Sequence, residues 1–177
     1  MNYIIFEDSK ISNLSPFSLN HASFEIRCGV YSNIERISNC ITVDDKLYII
    51  VREELEEIIR EKYPKLIVNP NIIPSGIMLN GATIWNDSMI NSFEIDKSYS
   101  TNGVLIAIYR SVSTELSEFE KLLHDSIKIT LDIQAIHFNY IWDPIFSFSD
   151  ILLNDIKNIS ASSNYLLDAS AIVINNN

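Results

Sequence analysis

The sequence predicts an α/β domain with a mostly parallel central sheet covered by helices. Two observations predict it. Short apolar runs without polar alternation, such as Tyr3-Ile4-Ile5-Phe6 and Val104 to Tyr109, read as strands buried on both faces. Segments of helical periodicity separate these runs, so strands and helices alternate from the first residue onward.

The elements follow in order. Asn2 to Phe6 is a first strand whose C-terminal end carries Glu7 and Asp8. Residues 9 to 27 show no helical period and read as a long loop, a length that tends to be functional inside a compact domain. Val30, Ile34 and Ile37 share a face of a helix over about 30–38. Lys46 to Val51 is a second strand. Arg52 to Tyr63 is the clearest helix, with Leu55, Ile58, Ile59 and Tyr63 on one side and Arg52/Glu56/Arg60 spaced to pair. Pro64 stops it before a third strand at Leu66 to Val68. Ile77 to Leu79 is a strand ending at Asn80-Gly81. Asn102-Gly103 is a tight turn into Val104 to Tyr109, in a hairpin with the segment around Tyr99. Leu116, Phe119, Leu122 and Leu123 predict a helix capped by Thr114. Ile127 to Thr130 and Gln134 to His137 read as short strands. Asp143-Pro144 opens a last helix to about Lys157.

The chain of 177 residues reads as one α/β domain over residues 1–160 with a tail over 161–177. A hydrophobic content of 47% excludes a disordered chain. The formal net charge of -10 argues against a nucleic-acid backbone or an anionic membrane as partner. The N-terminus lacks the basic stretch and long apolar run of a secretory signal, and the expected location is cytoplasmic. Cys28 and Cys40 form no CxxC pair and read as free thiols in a reducing compartment.

Ligands of open α/β sheets bind beyond the C-terminal ends of the strands. Those ends carry Glu7, Asp8 and Asn80-Gly81 here. Neither GxGxxG nor GxxxxGK[ST] is present. Arg27 is the cation near the long loop: it either holds a phosphate or a sugar carboxylate, or pairs with Glu25. Asp143 is either a magnesium ligand or the N-cap before Pro144. Asn80-Gly81 either meets a ligand through backbone amides or is a tight turn. Glu120 and His124 lie one helical turn apart, but no third metal ligand is visible.

Several segments, in order, resemble a known family. They are Asn2-Tyr3-Ile4-Ile5-Phe6-Glu7-Asp8, Leu14-Ser15-Pro16-Phe17-Ser18-Leu19 and Phe24-Glu25-Ile26-Arg27-Cys28-Gly29-Val30. Leu79-Asn80-Gly81, Gly103 to Ala107 and Tyr140-Ile141-Trp142-Asp143 follow. Together they resemble the N-terminal domain of sugar nucleotidyltransferase-like proteins related to bifunctional N-acetylglucosamine-1-phosphate uridyltransferase.

The resemblance implies a three-layer, Rossmann-like nucleotidyltransferase fold with a mostly parallel sheet. It implies a transferase that joins an NTP to a sugar 1-phosphate with Mg2+, releasing pyrophosphate. Arg27 and Asp143 would then be catalytic, with Asp143 also on the metal. Glu7, Asp8, Glu25, Gly29, Asn80 and Gly81 would line the nucleotide and sugar. Such domains usually precede a β-helix of hexapeptide repeats, and Leu167 to Ile174 would be its first coil in a shortened chain. A homo-oligomer is compatible with this reading. The chain departs from the family at Asn20-His21-Ala22, where relatives carry Thr-Arg-Pro, and at Ala82, where they carry Arg. It also lacks the Asp that helps hold magnesium near Asn80 in the wider superfamily. Fewer cations to meet a triphosphate leave a second expectation: a decayed site in a domain that binds a ligand or serves assembly.

Overall fold

The computed structural model describes residues 1–162. The elements are β1 (Asn2–Phe6), β2 (Arg27–Cys28), β3 (Tyr31–Ser32), α1 (Asn33–Asn39), β4 (Lys46–Ile50), α2 (Glu53–Lys62), β5 (Ile67–Val68), β6 (Ile72–Ile73), β7 (Gly76–Asn80), α3 (Asp87–Asn91), β8 (Lys97–Thr101), β9 (Val104–Arg110), β10 (Thr114–Glu115), α4 (Phe119–Ser126), β11 (Thr130–Asp132) and α5 (Asp143–Ser162). The main sheet has the order β11-β8-β9-β7-β1-β4-β5. β1 is parallel to β4 and β7, β4 to β5, and β8 to β11, whereas β9 runs antiparallel to both neighbours. The expected mostly parallel α/β fold is therefore present.

Both faces of the sheet are buried, which explains the unbroken apolar runs. Tyr3, Ile5, Ile49, Ile77 and Leu79 pack with residues of α1, α2 and α3 on one face. Ile4, Phe6, Met78, Leu105 and Ile108 pack with Phe119 and Leu123 of α4 on the other. A third cluster, with Leu14, Ile26, Ala82, Phe138 and Ile151, brings the long loop and α5 together.

Local chemistry explains the element ends. Glu35 accepts a hydrogen bond from the Ser32 amide at 2.7 Å and caps α1. The first turn of α2 is acidic and its last turn basic, which suits the helix dipole. Asn102 and Gly103 adopt φ of 49° and 74°, the turn that matches the twist of the β8–β9 hairpin.

The structure differs from the expected elements in several places, among them the strand expected at Ile127 to Thr130, which lies at Thr130–Asp132 instead. The loop over 9–27 contains 3-10 turns at Ser9–Leu14, Phe17–Leu19 and Ser23–Glu25, too short to show a period. Thr114 pairs in β10 with β6, and the residue before α4 is Glu118, so Thr114 does not cap that helix. Gln134 to His137 forms no strand, only a bridge between His137 and Thr83. The last helix, α5, continues to Ser162, past its expected end at about Lys157. The expected β-helix coil at Leu167 to Ile174 lies outside the described residues.

Cys28 and Cys40 are both free. Burial pushes the Cys28 thiol up, and its Sγ donates to the Pro144 carbonyl at 3.2 Å. Burial and the Asp87 carboxylate push Cys40 up to about 12. Since the thiolate is the nucleophile, both should react slowly with Ellman's reagent at pH 8 in the folded chain. Two equivalents should react promptly in guanidinium. Fast native labelling of either would contradict this environment.

Candidate functional site

The chain runs outward from β1 to β4 and β5, then crosses back to β7 on the other side of β1. The strand order thus reverses between β1 and β7. In open α/β sheets such a switch opens a crevice beyond the strand ends, where ligands bind. The register sets Phe6 opposite Asn80, so Glu7, Asp8, Asn80 and Gly81 meet there. Sequence reasoning placed these four correctly in space. Their partners are what it missed.

Asn80 organises the crevice. Its Nδ2 donates to Asp8 Oδ2 at 2.8 Å and to the Leu105 carbonyl at 3.2 Å, and its Oδ1 accepts from the Ala82 amide at 3.0 Å. One buried amide therefore joins the ends of β1 and β7 to β9 and the following turn. Gly81 donates its amide to the Phe6 carbonyl at 2.9 Å and accepts from Asn33 Nδ2 at 2.7 Å. Both its backbone groups are engaged within the protein. A Cβ there would come within 2.6 Å of Ser23 Oγ, so glycine is needed for close approach of the loop. Ser23 Oγ itself is buried with no hydrogen-bond partner among the described residues.

Glu7 is buried and engaged by the chain. It accepts from the Ser23 amide at 2.8 Å and forms an ion pair with Arg52 at 2.9 Å. Burial pushes its carboxyl above the ordinary value, against the lowering pull of those two partners. Arg52 also donates to the carbonyls of Ser18 and His21, so it ties the long loop to β1. Arg52 follows β4, whose parallel pairing with β1 puts Ile50 beside Phe6. That register brings Arg52 to Glu7, whereas helical spacing alone suggested Glu56.

Asp8 accepts from the Lys10 amide at 2.9 Å as well as from Asn80. It stands between two cavities. One, of about 10 Å3, is lined by Asp8, Lys10, Leu14, Ser23, Asn80 and His137 among others. The other, of about 270 Å3, opens toward α4 and is lined by Asp8, Lys10, Leu105, Glu120 and His124 among others. Lys10 borders both, and its exposed ammonium has no ion pair among the described residues. Its place, two residues beyond Asp8, was the signal in the sequence. His137 accepts or donates at Nδ1 with Thr83 Oγ1 at 2.9 Å, and burial lowers its pKa.

The other expected site residues lie elsewhere. Arg27 is exposed and pairs with Glu35 at 2.9 Å, and it also donates to the Val30 carbonyl. It therefore reaches neither the crevice nor Glu25. Glu25 faces α2 instead, where Lys62 and Tyr63 donate to it and the Ala22 amide adds a bond at 3.0 Å. Burial opposes its charge, but these donors together hold the carboxyl below its ordinary value. Gly29 turns β2 into β3 at φ 75°, where a Cβ would lie 2.4 Å from Asp155 Oδ2. Asp143 is the first residue of α5, and its Oδ2 accepts from the Asn139 and Tyr140 amides at 2.7 and 2.9 Å. It secures the turn that precedes the helix and accepts from no helix amide, so it is not the expected N-cap. Among the described residues no group of three His, Cys, Asp or Glu could hold a metal ion. That includes the Glu120/His124 pair.

A mostly parallel sheet with polar residues gathered at its strand switch defines a doubly wound α/β domain. The family model of the sugar nucleotidyl transferases matches residues 3–164, and the chain belongs to that family. No curated protein matches the sequence. Eleven chains of solved structures match the fold. One of them is the CTP:phosphocholine cytidylyltransferase of Streptococcus pneumoniae, at 10% identity and a TM-score of 0.47, covering 85% of this chain and 98% of that one. That likeness carries no chemistry across. No helix among the described residues is long and apolar enough to cross a membrane.

Proposed function

We propose that the chain transfers a nucleotidyl group from an NTP to a sugar 1-phosphate, as its resemblance to the N-acetylglucosamine-1-phosphate uridyltransferases implies. The observation that carries this reading is the Asp8–Asn80 pair at the strand switch, beside the unpaired Lys10, in a chain of this family. An oxygen of the sugar phosphate attacks the α-phosphorus, the new O–P bond forms, and the bond to the β-phosphate breaks. Pyrophosphate leaves. Catalysis is then mostly positioning and charge neutralisation. Lys10 supplies the positive charge, and Asn80 holds Asp8 in place. Magnesium bound to substrate phosphates often takes only one or two protein carboxylates, and Asp8 fits that part better than Asp143. When bound, the ion would neutralise phosphate charge.

A cavity of about 270 Å3 falls at the lower limit of ordinary ligand sites. A whole NTP would extend beyond this cavity. The small size of the cavity favours a second reading, a domain that binds a ligand without turnover. Arg27 outside the crevice and Glu7 engaged by Arg52 support it too.

Pyrophosphate release separates the two. The chain is incubated with Mg2+, a panel of NTPs and a panel of sugar 1-phosphates. The transferase reading expects release with one pair, and a ten- to hundredfold lower kcat/KM in Lys10→Ala. Thermal stabilisation by a nucleotide without any release supports the binding module instead.

A further inference from the structure

The helix α4 divides two hollows. Glu120, His124 and Ile127 border the cavity beside Asp8. Glu118, Lys121, Leu122 and Asp125, spaced by three and four along the same helix, border a second cleft. This cleft has a volume of about 710 Å3, within the range of small-molecule sites. Its other wall includes the end of β9 at Arg110 and the start of β8 at Lys97. Leu105, near the start of β9, accepts from Asn80 in the crevice. Arg110 lies at the far end of that strand, about 17 Å away at the rise of an extended chain. The two hollows are therefore separate.

Arg110 differs from the other four arginines of the chain. Arg27, Arg36, Arg52 and Arg60 each hold a carboxylate. Arg110 holds none among the described residues, and none of its side-chain nitrogens has a hydrogen-bond partner there. It is half-buried, and its Nε is fully covered. A guanidinium taken from water without an acceptor costs free energy. Its planar fork suits the paired oxygens of a phosphate or a carboxylate. Lys97 and Lys121 are exposed and also lack an ion pair among the described residues. Three elements, β8, β9 and α4, thus bring three uncommitted cations to one cleft.

Four carboxylates border the same cleft, and two of them are engaged. Asp96 accepts from the Ser111 amide at 2.9 Å and from the Ser111 hydroxyl at 2.8 Å. Asp125 pairs with Lys128 at 3.0 Å. Glu115 and Glu118 are exposed and have no cation partner among the described residues, so they oppose an anion and limit its affinity. The uncommitted charge is three positive against two negative, and the positive part includes the half-buried arginine. We propose that this cleft is a second ligand site, which takes a small polyanion with two or more phosphate or carboxylate groups on Arg110, with Lys97 and Lys121 beside it. It is independent of the reaction assigned to the crevice.

The test is isothermal titration calorimetry of the full chain with two probes, inorganic pyrophosphate and citrate, in 50 mM NaCl without added metal. At least one should bind with a Kd of about 1 mM or tighter, and more weakly as salt is added. The stronger of the two tells a phosphate ligand from a carboxylate ligand. Arg110→Gln should weaken binding about tenfold or more, with thermal unfolding still that of a folded chain. Glu118→Gln should tighten binding, because a like charge leaves the cleft. Binding should persist in Lys10→Ala, which removes the cation of the crevice. If Arg110→Gln does not fold, the double variant Lys97→Ala/Lys121→Ala, at two exposed positions, replaces it with the same expected loss. The proposal is overturned if neither probe binds the chain at 10 mM. It is overturned equally if a folded Arg110→Gln, or the double variant in its place, binds as the parent does, or if Lys10→Ala abolishes binding.

Discussion

Arg36→Met is expected to cost about 3–5 kcal/mol of stability. Arg36 and Asp155 are both buried and form a two-pronged ion pair at 2.6 and 2.7 Å. Arg36 also donates to the Cys28 carbonyl, and Asp155 accepts from the Val30 amide at 2.9 Å. The pair thus joins α1, the β2–β3 turn and α5 in one network. Met leaves the Asp155 carboxylate buried without its cation, a larger penalty than the net worth of the pair. Against a typical stability of about 5–15 kcal/mol this is severe. Urea unfolding should show a lower midpoint with an unchanged slope. Adding Asp155→Leu to Arg36→Met should recover part of the loss, because no buried charge then remains. A single variant within about 1 kcal/mol of the parent would mean that α5 is held mainly by Ile151.

Gly76→Ala should be nearly as damaging. Gly76 opens β7 at φ 156°, and a Cβ there would lie 2.2 Å from the backbone carbonyl oxygen of Asn2. A backbone oxygen within a parallel pair cannot swing away as a side chain can. The clash must separate the start of β7 from β1, at a cost of about 3 kcal/mol or more, with backbone strain added. The Asp8–Asn80 bond lies at the far end of the same pair, so any rotation of β7 reaches the crevice. Thermal unfolding would report the loss. An unchanged melting temperature would show that the pair slides to make room.

The sheet was legible in the sequence because burial on both faces writes continuous apolar runs. β1, β4, β7 and the β8–β9 hairpin were read within a residue or two, and α2 by its period. The short β6 and β10 carry no such signal: two residues cannot show a pattern. The strand ends were legible as positions, since Glu7, Asp8 and Asn80 follow apolar runs. Their partners were not. Arg52 reaches Glu7 across parallel strands separated by a long crossover, a neighbourhood that local spacing does not encode. Arg27 looked like the crevice cation because it lies near the loop in sequence. The β2–β3 turn directs it to Glu35 and the surface instead.

The outermost strands of the sheet, β5 and β11, have two and three residues, against five or more for each strand between them. Unpaired amides and carbonyls at a sheet margin invite another chain to add on. Margins this short offer little template for that. Growth of the sheet from copy to copy is thereby disfavoured at both sides.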